Sequence, residues 1–494
     1  MNASKPALPF RRLFQIPAAS LLLLFLAGCV GFQPIAPAHE PSARVSLAVP
    51  AELQQKEGAW PLERWWTVYH DAQLDAMMER ALSANPNMAA AEARIARARA
   101  ASDLSNAGTG PQVSAGTDLS YGRQSENYLV PRPPLGKGGE YVSQGQASLN
   151  FSLDLDLWGR NAALIRAADA QLKSAVFERD AARLTLASSL VRTYAQLSAQ
   201  YDMQDILQAT LQQRRTIRTL IDQRVASGLD TRVEVQQAQT NEASLRVELE
   251  QTATAIKVLK LQLAALAGDM PTAAQSIARP AMSPGEFAVP GTLPLDLLGR
   301  RPELAAQRAR IASAYAEADA AKAQFYPNVN LNALVGLQAI GIGNLLNAGS
   351  FTNSVGPAIR LPIFDAGRLR ANYAGKASDI DAAIAQYNQS VLSAAQDVAE
   401  QLVRISDLGR EEAAAREALN AAEEAHRLAT LRYRGGLAPY LTVLTVENQL
   451  LSQRRVIASL NARREDLHVS LARALGGGFQ EDRGVPATAS NARH

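Results

Sequence analysis

The sequence predicts a mainly α-helical chain with membrane-type β-strands, made by duplicating one unit: a strand pair followed by a long α-helical hairpin. Asn161 to Ala267 holds no proline and one glycine, Gly228, so two breaker-free runs meet at a single bend. If helical, the first run, Asn161 to Ser227, is a rod of roughly 100 Å at 1.5 Å per residue, more than one compact core needs. The arrangement recurs later in the chain, and before each hairpin the hydrophobic period changes from helical to two. At 5% aromatic and rich in alanine, the 494 residues read as one elongated helical object rather than a string of ordinary domains.

The first 28 residues are read as a signal peptide. Lys5, Arg11 and Arg12 precede an apolar run from Leu13 to Leu26, too short to span a bilayer comfortably. The run ends in Leu26-Ala27-Gly28-Cys29, which resembles the lipobox of bacterial lipoproteins, where cleavage exposes a cysteine for acylation. An incidental cysteine behind an ordinary signal peptide is the plain alternative. Cys29 is the only cysteine, which rules out an intrachain disulfide and leaves a thioether-linked lipid as its economical use. Two or three acyl chains would anchor stably where one would not. Val30 rather than an aspartate follows, which in the bacterial sorting pattern implies delivery to the outer membrane. Removing the signal takes three bases and no acid from 50 bases and 47 acids, so the mature chain is formally neutral. With no basic face carrying interleaved aromatics, nucleic acid is not an expected partner.

Residues 29–59, rich in Pro, Ala and Ser, are expected to be a lipidated tether without a fold of their own. Trp60, Trp65 and Trp66 then fit either an interfacial belt or, preferably, packing against helices. Asn85-Pro86 is a helix start, Asn capping and Pro in the first turn. The helix that follows, about Asn87 to Leu104, has eight alanines between Ala89 and Ala101, a surface that lets helices approach closely.

The duplication is explicit. Pro86, Ala93-Arg94-Ile95-Ala96 and Pro111-Gln112-Val113 match Pro302, Ala309-Arg310-Ile311-Ala312 and Pro327-Asn328-Val329, 216 residues on. Gly159-Arg160, Arg224, Gly228 and Leu229 match Gly367-Arg368, Arg432, Gly436 and Leu437, 208 residues on. The first copy therefore has the longer inter-strand loop. The repeats are placed at 60–284 (strands about 113–121 and 145–157, hairpin 161–267) and 285–475 (strands about 329–337 and 354–364, hairpin 368–475), with a flexible tail at 476–494.

Val113, Ala115, Thr117, Leu119 and Tyr121 alternate with Ser114, Gly116, Asp118 and Ser120, and Leu149 to Leu157 alternates likewise. Val329 to Val335 and Val355 to Ile363 supply the second pair. Strands of about ten residues suit a tilted membrane crossing. Four cannot close a barrel, and an open edge in lipid strands backbone groups, so other copies of the chain must complete it. Asp154 and Asp156 fall on the polar face, a pairing that any wet strand face produces and that is not read as catalytic.

At the tips, Thr231 and Glu234 fit a capping box and Pro439 suits the first turn of the second returning helix. Gly228, Gly435 and Gly436 are free to take positive φ. Turn chemistry explains the glycines; the clustered Arg224, Arg232, Glu234, Arg432, Tyr433 and Arg434 exceed what a turn needs. The five histidines are scattered without metal-ligand spacing, and there is no phosphate-binding glycine loop, nucleophile elbow or cysteine nucleophile. No cofactor, metal or enzymatic activity is expected.

Taken together, the lipobox, the Asn85-Pro86 and Arg301-Pro302 starts, the Gly159-Arg160 and Gly367-Arg368 junctions and the two tips resemble a TolC/OprM-type outer-membrane factor of the NodT-like efflux lipoprotein branch. The resemblance runs from about Trp60 to Leu475. It implies a homotrimer with a twelve-strand β-barrel continued by an α-helical periplasmic tunnel, set in outer-membrane lipid. The tips would close an iris and meet a periplasmic adaptor coupled to an inner-membrane pump. The implied function is passive exit of small toxic compounds or drugs. The alternatives are a duct for type I protein secretion and a periplasmic adaptor lipoprotein, the latter disfavoured by two hairpins and two strand pairs. Mapped residue by residue, the first tip centres on Gly228, with Glu234 a lumen-side acid, and the second on Tyr433 and Gly436. Thr442 and Thr445 stand where the family commonly places aperture acids, so a gate here would lean on Tyr433, Arg434 and Glu234.

Overall fold

A computed structural model of the chain describes residues 34–42, 60–123, 125, 139, 141–283 and 299–481. Cys29, the signal segment, most of the expected tether and inter-strand loop, and the end of the tail lie outside the described residues. The helices are α1 (Ala72–Ala84), α2 (Pro86–Ala107), α3 (Arg160–Ala226), α4 (Arg232–Leu266), α5 (Pro302–Ala323), α6 (Arg368–Arg434) and α7 (Tyr440–Ala474). The strands are β1 (Gln112–Arg123), β2 (Tyr141–Asp154), β3 (Asn328–Ile340) and β4 (Phe351–Arg360). The duplication is visible in lengths: α3 and α6 have 67 residues each, and α4 and α7 have 35 each.

The repeats are units of sequence and not of packing. One compact unit gathers Gln112–Arg160 and Ala318–Ser378; the other gathers the described parts of His39–Pro111, Asn161–Glu317 and Asp379–His494. In the first, all four strands form one antiparallel sheet in the order β1-β2-β3-β4, and β2 and β3 join across the repeat boundary. The register puts Phe151, Ala333 and Val355 in one row and Asp154, Asn330 and Ala358 in another, so one face is apolar and the other polar.

Both returning strands end earlier than expected. Leu155 still donates its N–H to the Val329 carbonyl, but Asp156 turns to φ 42° and breaks the pleat before Leu157. β4 stops at Arg360, two residues before Pro362, which has no N–H for a ladder. Alternation continues past both ends, and it records a wet and a dry side rather than pairing. Among the described residues no helix is long and apolar enough to cross a membrane.

The helical unit is anchored near its first helix. Asp71 caps α1, accepting from the N–H groups of Gln73 and Leu74, and also accepts from the Tyr194 hydroxyl at 2.8 Å and the Ala281 N–H at 2.8 Å. Around it Trp65, Trp66, Tyr69, Met77, Met78, Leu190, Leu197 and Leu263 are buried together, each large apolar side chain worth about 1.5–3 kcal/mol. Trp65 and Trp66 are thus core residues. Trp60 packs at the edge of a second cluster with the Arg300 guanidinium 4.5 Å from its ring.

Two segments expected to lack structure carry specific contacts. His39 and Ser42 donate backbone N–H groups to Asp381 and Asn388 of α6, and Asn388 donates to the Glu40 carbonyl. Beyond α7, Phe479 meets Phe177 edge-on at 5.8 Å and Glu481 pairs with Arg308 at 2.6 Å. The first residues of the expected tail, up to Glu481, are thus held by an apolar ring contact and an ion pair.

Candidate functional site

The two hairpins end in the same way. The Gly228 N–H bonds to the Val225 carbonyl and the Leu229 N–H to the Arg224 carbonyl, with φ 69° at Gly228. In the second copy Gly436 bonds to Tyr433 and Leu437 to Arg432, with φ 72° at Gly436. This double closure satisfies the orphan carbonyls of α3 and α6, and it requires a residue that tolerates positive φ. Gly435 does not take positive φ, and only its neighbour needs the special conformation.

Each returning helix starts differently. Thr231 caps α4 in a capping box: its hydroxyl accepts from the Val233 N–H, and the Glu234 carboxylate accepts from the Thr231 N–H at 2.9 Å and hydroxyl at 2.6 Å. Those bonds, the hydroxyl's first, hold the Glu234 carboxyl below its ordinary range. Pro439 caps α7 from the N-cap, one position outside the expected first turn, and its carbonyl accepts from the Thr442 N–H.

Between the tips sits a clamp that involves a residue absent from the sequence-level site. Tyr433 is fully buried, and its hydroxyl donates to Asp230 Oδ2 at 2.5 Å. Arg224 Nε donates to the same oxygen at 2.9 Å, Nη1 donates to the Tyr433 carbonyl at 3.3 Å, and the guanidinium lies 4.8 Å from the Tyr433 ring centre. Asp230 thus joins the end of α3 to the end of α6. Burial pushes the Asp230 carboxyl up, but the bonds from Arg224 and Tyr433 outweigh it and leave the group below its ordinary range. Burial, reinforced by the bond to Asp230, pushes the Tyr433 phenol upward. Ile217, Ile221, Ala238, Ala429, Tyr440 and Val443 close an apolar collar around the clamp.

A second polar layer lies further along the hairpins. Arg214 and Glu447, with side chains 8% and 4% exposed, approach to 3.4 Å between α3 and α7. Arg214 also donates to the Asn241 carbonyl of α4 at 2.7 Å and to Asn448 Oδ1 at 2.9 Å. Burial pushes the Glu447 carboxyl up, only partly offset by Arg214.

The expected tip residues thus divide. Arg224, Gly228, Tyr433 and Gly436 come together in the clamp and its turns. Glu234 is spent on capping. Arg232, Arg432, Arg434, Thr442 and Thr445 are exposed, and Thr445 bonds back to the Leu441 carbonyl. Asp230, Arg214 and Glu447 are the additions; the one local signal was an acid placed between a tip glycine and a capping threonine.

The profile of the outer membrane efflux protein family matches residues 77–269 and 293–477, both repeats with their strands and hairpins. The chain belongs to this family. The adaptor-lipoprotein alternative falls with that match. MdtP of Escherichia coli K12, named a multidrug resistance outer membrane protein, is 30% identical over 481 residues, covering 95% of this chain and 98% of MdtP. Among solved structures, the outer membrane protein VceC of Vibrio cholerae is 35% identical with a TM-score of 0.79, covering 85% of this chain and 100% of VceC. The outer-membrane channel OprN is 25% identical with a TM-score of 0.80 over 90% of this chain and 99% of OprN. The fold is that of these channels, a barrel-forming sheet with an α-helical tunnel wall.

Proposed function

We propose that this protein is one protomer of a homotrimeric outer-membrane duct, the passive exit for small toxic compounds or drugs. The observation that carries this is the open sheet. Among the described residues β1 and β4 each pair on one side only, while the sheet has one apolar and one polar face. In lipid such edges must be paired, and three copies joined edge to edge make twelve strands, enough to close around a wet lumen. Drugs as the cargo rest on the likeness to MdtP, a protein named for multidrug resistance. The duct needs no chemistry of its own, in keeping with a non-enzymatic role, and takes its energy from an inner-membrane pump coupled by a periplasmic adaptor.

The tips are read as the adaptor-docking and gating end, with the Arg224–Asp230–Tyr433 clamp as the fastening and the exposed Arg232, Arg432 and Arg434 as the docking charges. Cys29 is read as the lipid attachment point. Planar-bilayer recording of the purified protein tests the duct: discrete, trimer-dependent conductance steps are expected. A purified trimer that never conducts, even with the clamp removed, would sink the reading.

A further inference from the structure

The sheet unit holds a basic cluster that neither capping nor ion pairing explains. Where β2 and β4 give way to α3 and α6, a cavity of about 350 Å³ is lined by Asp154, Asp156, Trp158, Arg160, Arg360 and Arg368. Among the described residues none of the three guanidiniums has a hydrogen bond, ion pair or ring contact with another residue, although arginine side chains elsewhere in the chain are repeatedly paired. The two acids are otherwise engaged: Asp154 accepts from the Asp156 N–H at 3.1 Å, and Asp156 also has a partner of its own.

Two of the guanidiniums sit in an electrostatically poor place. Arg160 and Arg368 open α3 and α6, where the helix dipole disfavours a cation; at α6 the Asp365 carboxylate accepts from the Leu369 N–H, whereas the first turn of α3 contains no acid. Three guanidiniums face two carboxylates across one cavity, so positive charge is concentrated there against local preference. Such local conflicts are expected at functional sites.

We infer that this cavity binds the oxyanion group of a solute, a phosphate or a clustered carboxylate, through Arg160, Arg360 and Arg368. Planar guanidiniums suit this chemistry because they grip oxyanions bidentately. The solute rather than the membrane supplies the anion, because Asp154, Asn328 and Arg360 lie on the polar face of the sheet. Val329 and Ile359 point to the other side. The aromatic wall is rigid: Trp158 stacks on Tyr326 at 4.8 Å and donates its indole N–H to the Pro327 carbonyl. The binding site stands on this geometry; its effect on transport rests on the duct reading, in which three copies ring the lumen and attract anionic cargo.

The test uses the full-length protein in detergent, titrated with sodium pyrophosphate and with citrate, following Trp158 fluorescence as the difference from Trp158→Phe. A saturable change is expected. Its apparent affinity should weaken at least about tenfold in the Arg160→Gln/Arg360→Gln/Arg368→Gln variant, the size expected on losing one charge-assisted contact. That variant keeps polar side chains at all three positions, and Arg360→Gln is the single-site control. In bilayers under a potassium chloride gradient, the reversal potential of the triple variant should move towards cation selectivity. Absent or variant-insensitive pyrophosphate and citrate binding would overturn the site, as would a response to phosphatidylglycerol nanodiscs alone. Binding without any conductance would leave the site standing and refute the duct.

Discussion

Replacing Tyr433 by Phe removes one hydroxyl from the tip and little else. The ring still fills the collar of Ile217, Ile221 and Val443, and Arg224 still lies over its face and pairs with Asp230. What disappears is the 2.5 Å hydrogen bond to a carboxylate whose side chain is 10% exposed. A bond to a charged group in such a place is worth about 1.5–3 kcal/mol; Asp230 keeps Arg224, so the lower figure applies. About 1.5 kcal/mol is roughly tenfold in the open-to-closed ratio of one tip, or about a thousandfold if three tips open together. Single-channel recording should show a large rise in open probability at unchanged unit conductance. The Asp230 carboxyl has a depressed folded value, so its stabilisation is complete above the unfolded value near 3.9 and is lost only as pH falls through the lower folded value. Wild-type tips should therefore stay fastened at pH 5. An open probability that moves less than about twofold in folded Tyr433→Phe trimers would refute the clamp as a fastening.

Arg214→Leu leaves Glu447 buried without its ionic partner and should cost about 3–5 kcal/mol, read as a lower thermal midpoint of the helical signal. Because burial raises the Glu447 carboxyl, the folded state holds a proton that the unfolded state has lost, so the variant should recover stability at pH 5 relative to pH 8. Gly336→Ala would set a methyl 2.3 Å from the Ala147 carbonyl oxygen, closer than atoms pack, and should abolish the heat-modifiable folded band by breaking the β2–β3 seam. Cys29→Ala should end palmitate labelling while the protein stays in the outer-membrane fraction, because about a dozen strands hold more firmly than acyl chains. Release of a folded soluble protein would contradict this.

Period and breakers made much of this molecule legible in the sequence. A stretch such as Asn161 to Ser227 without Gly or Pro can be little but helix. A glycine followed by a capping threonine marks a hairpin end, and matches 208 and 216 residues apart announce two copies whatever their packing. These are local or self-referential properties, and side-chain chemistry states them directly. The partition of the copies was decided only in three dimensions: β2 hydrogen-bonds to β3 across the repeat boundary, so the sheet and the helices each mix both halves. Strand ends are likewise a tertiary matter: alternation runs on to Leu157 and Ile363, but pairing, which needs an N–H partner and a regular φ, stops at Asp154 and Arg360.

The tips show the same division. Gly228, Gly436, Thr231 and Glu234 act on backbone within a few residues, and their roles could be read in order along the chain. Asp230 and Tyr433 are 203 positions apart and Arg214 and Glu447 are 233 apart, and nothing local distinguishes a clamp residue from a solvated one. Burial and partner choice are set by which helices lie side by side, so the fastening of the tip became visible only once both hairpins were folded together.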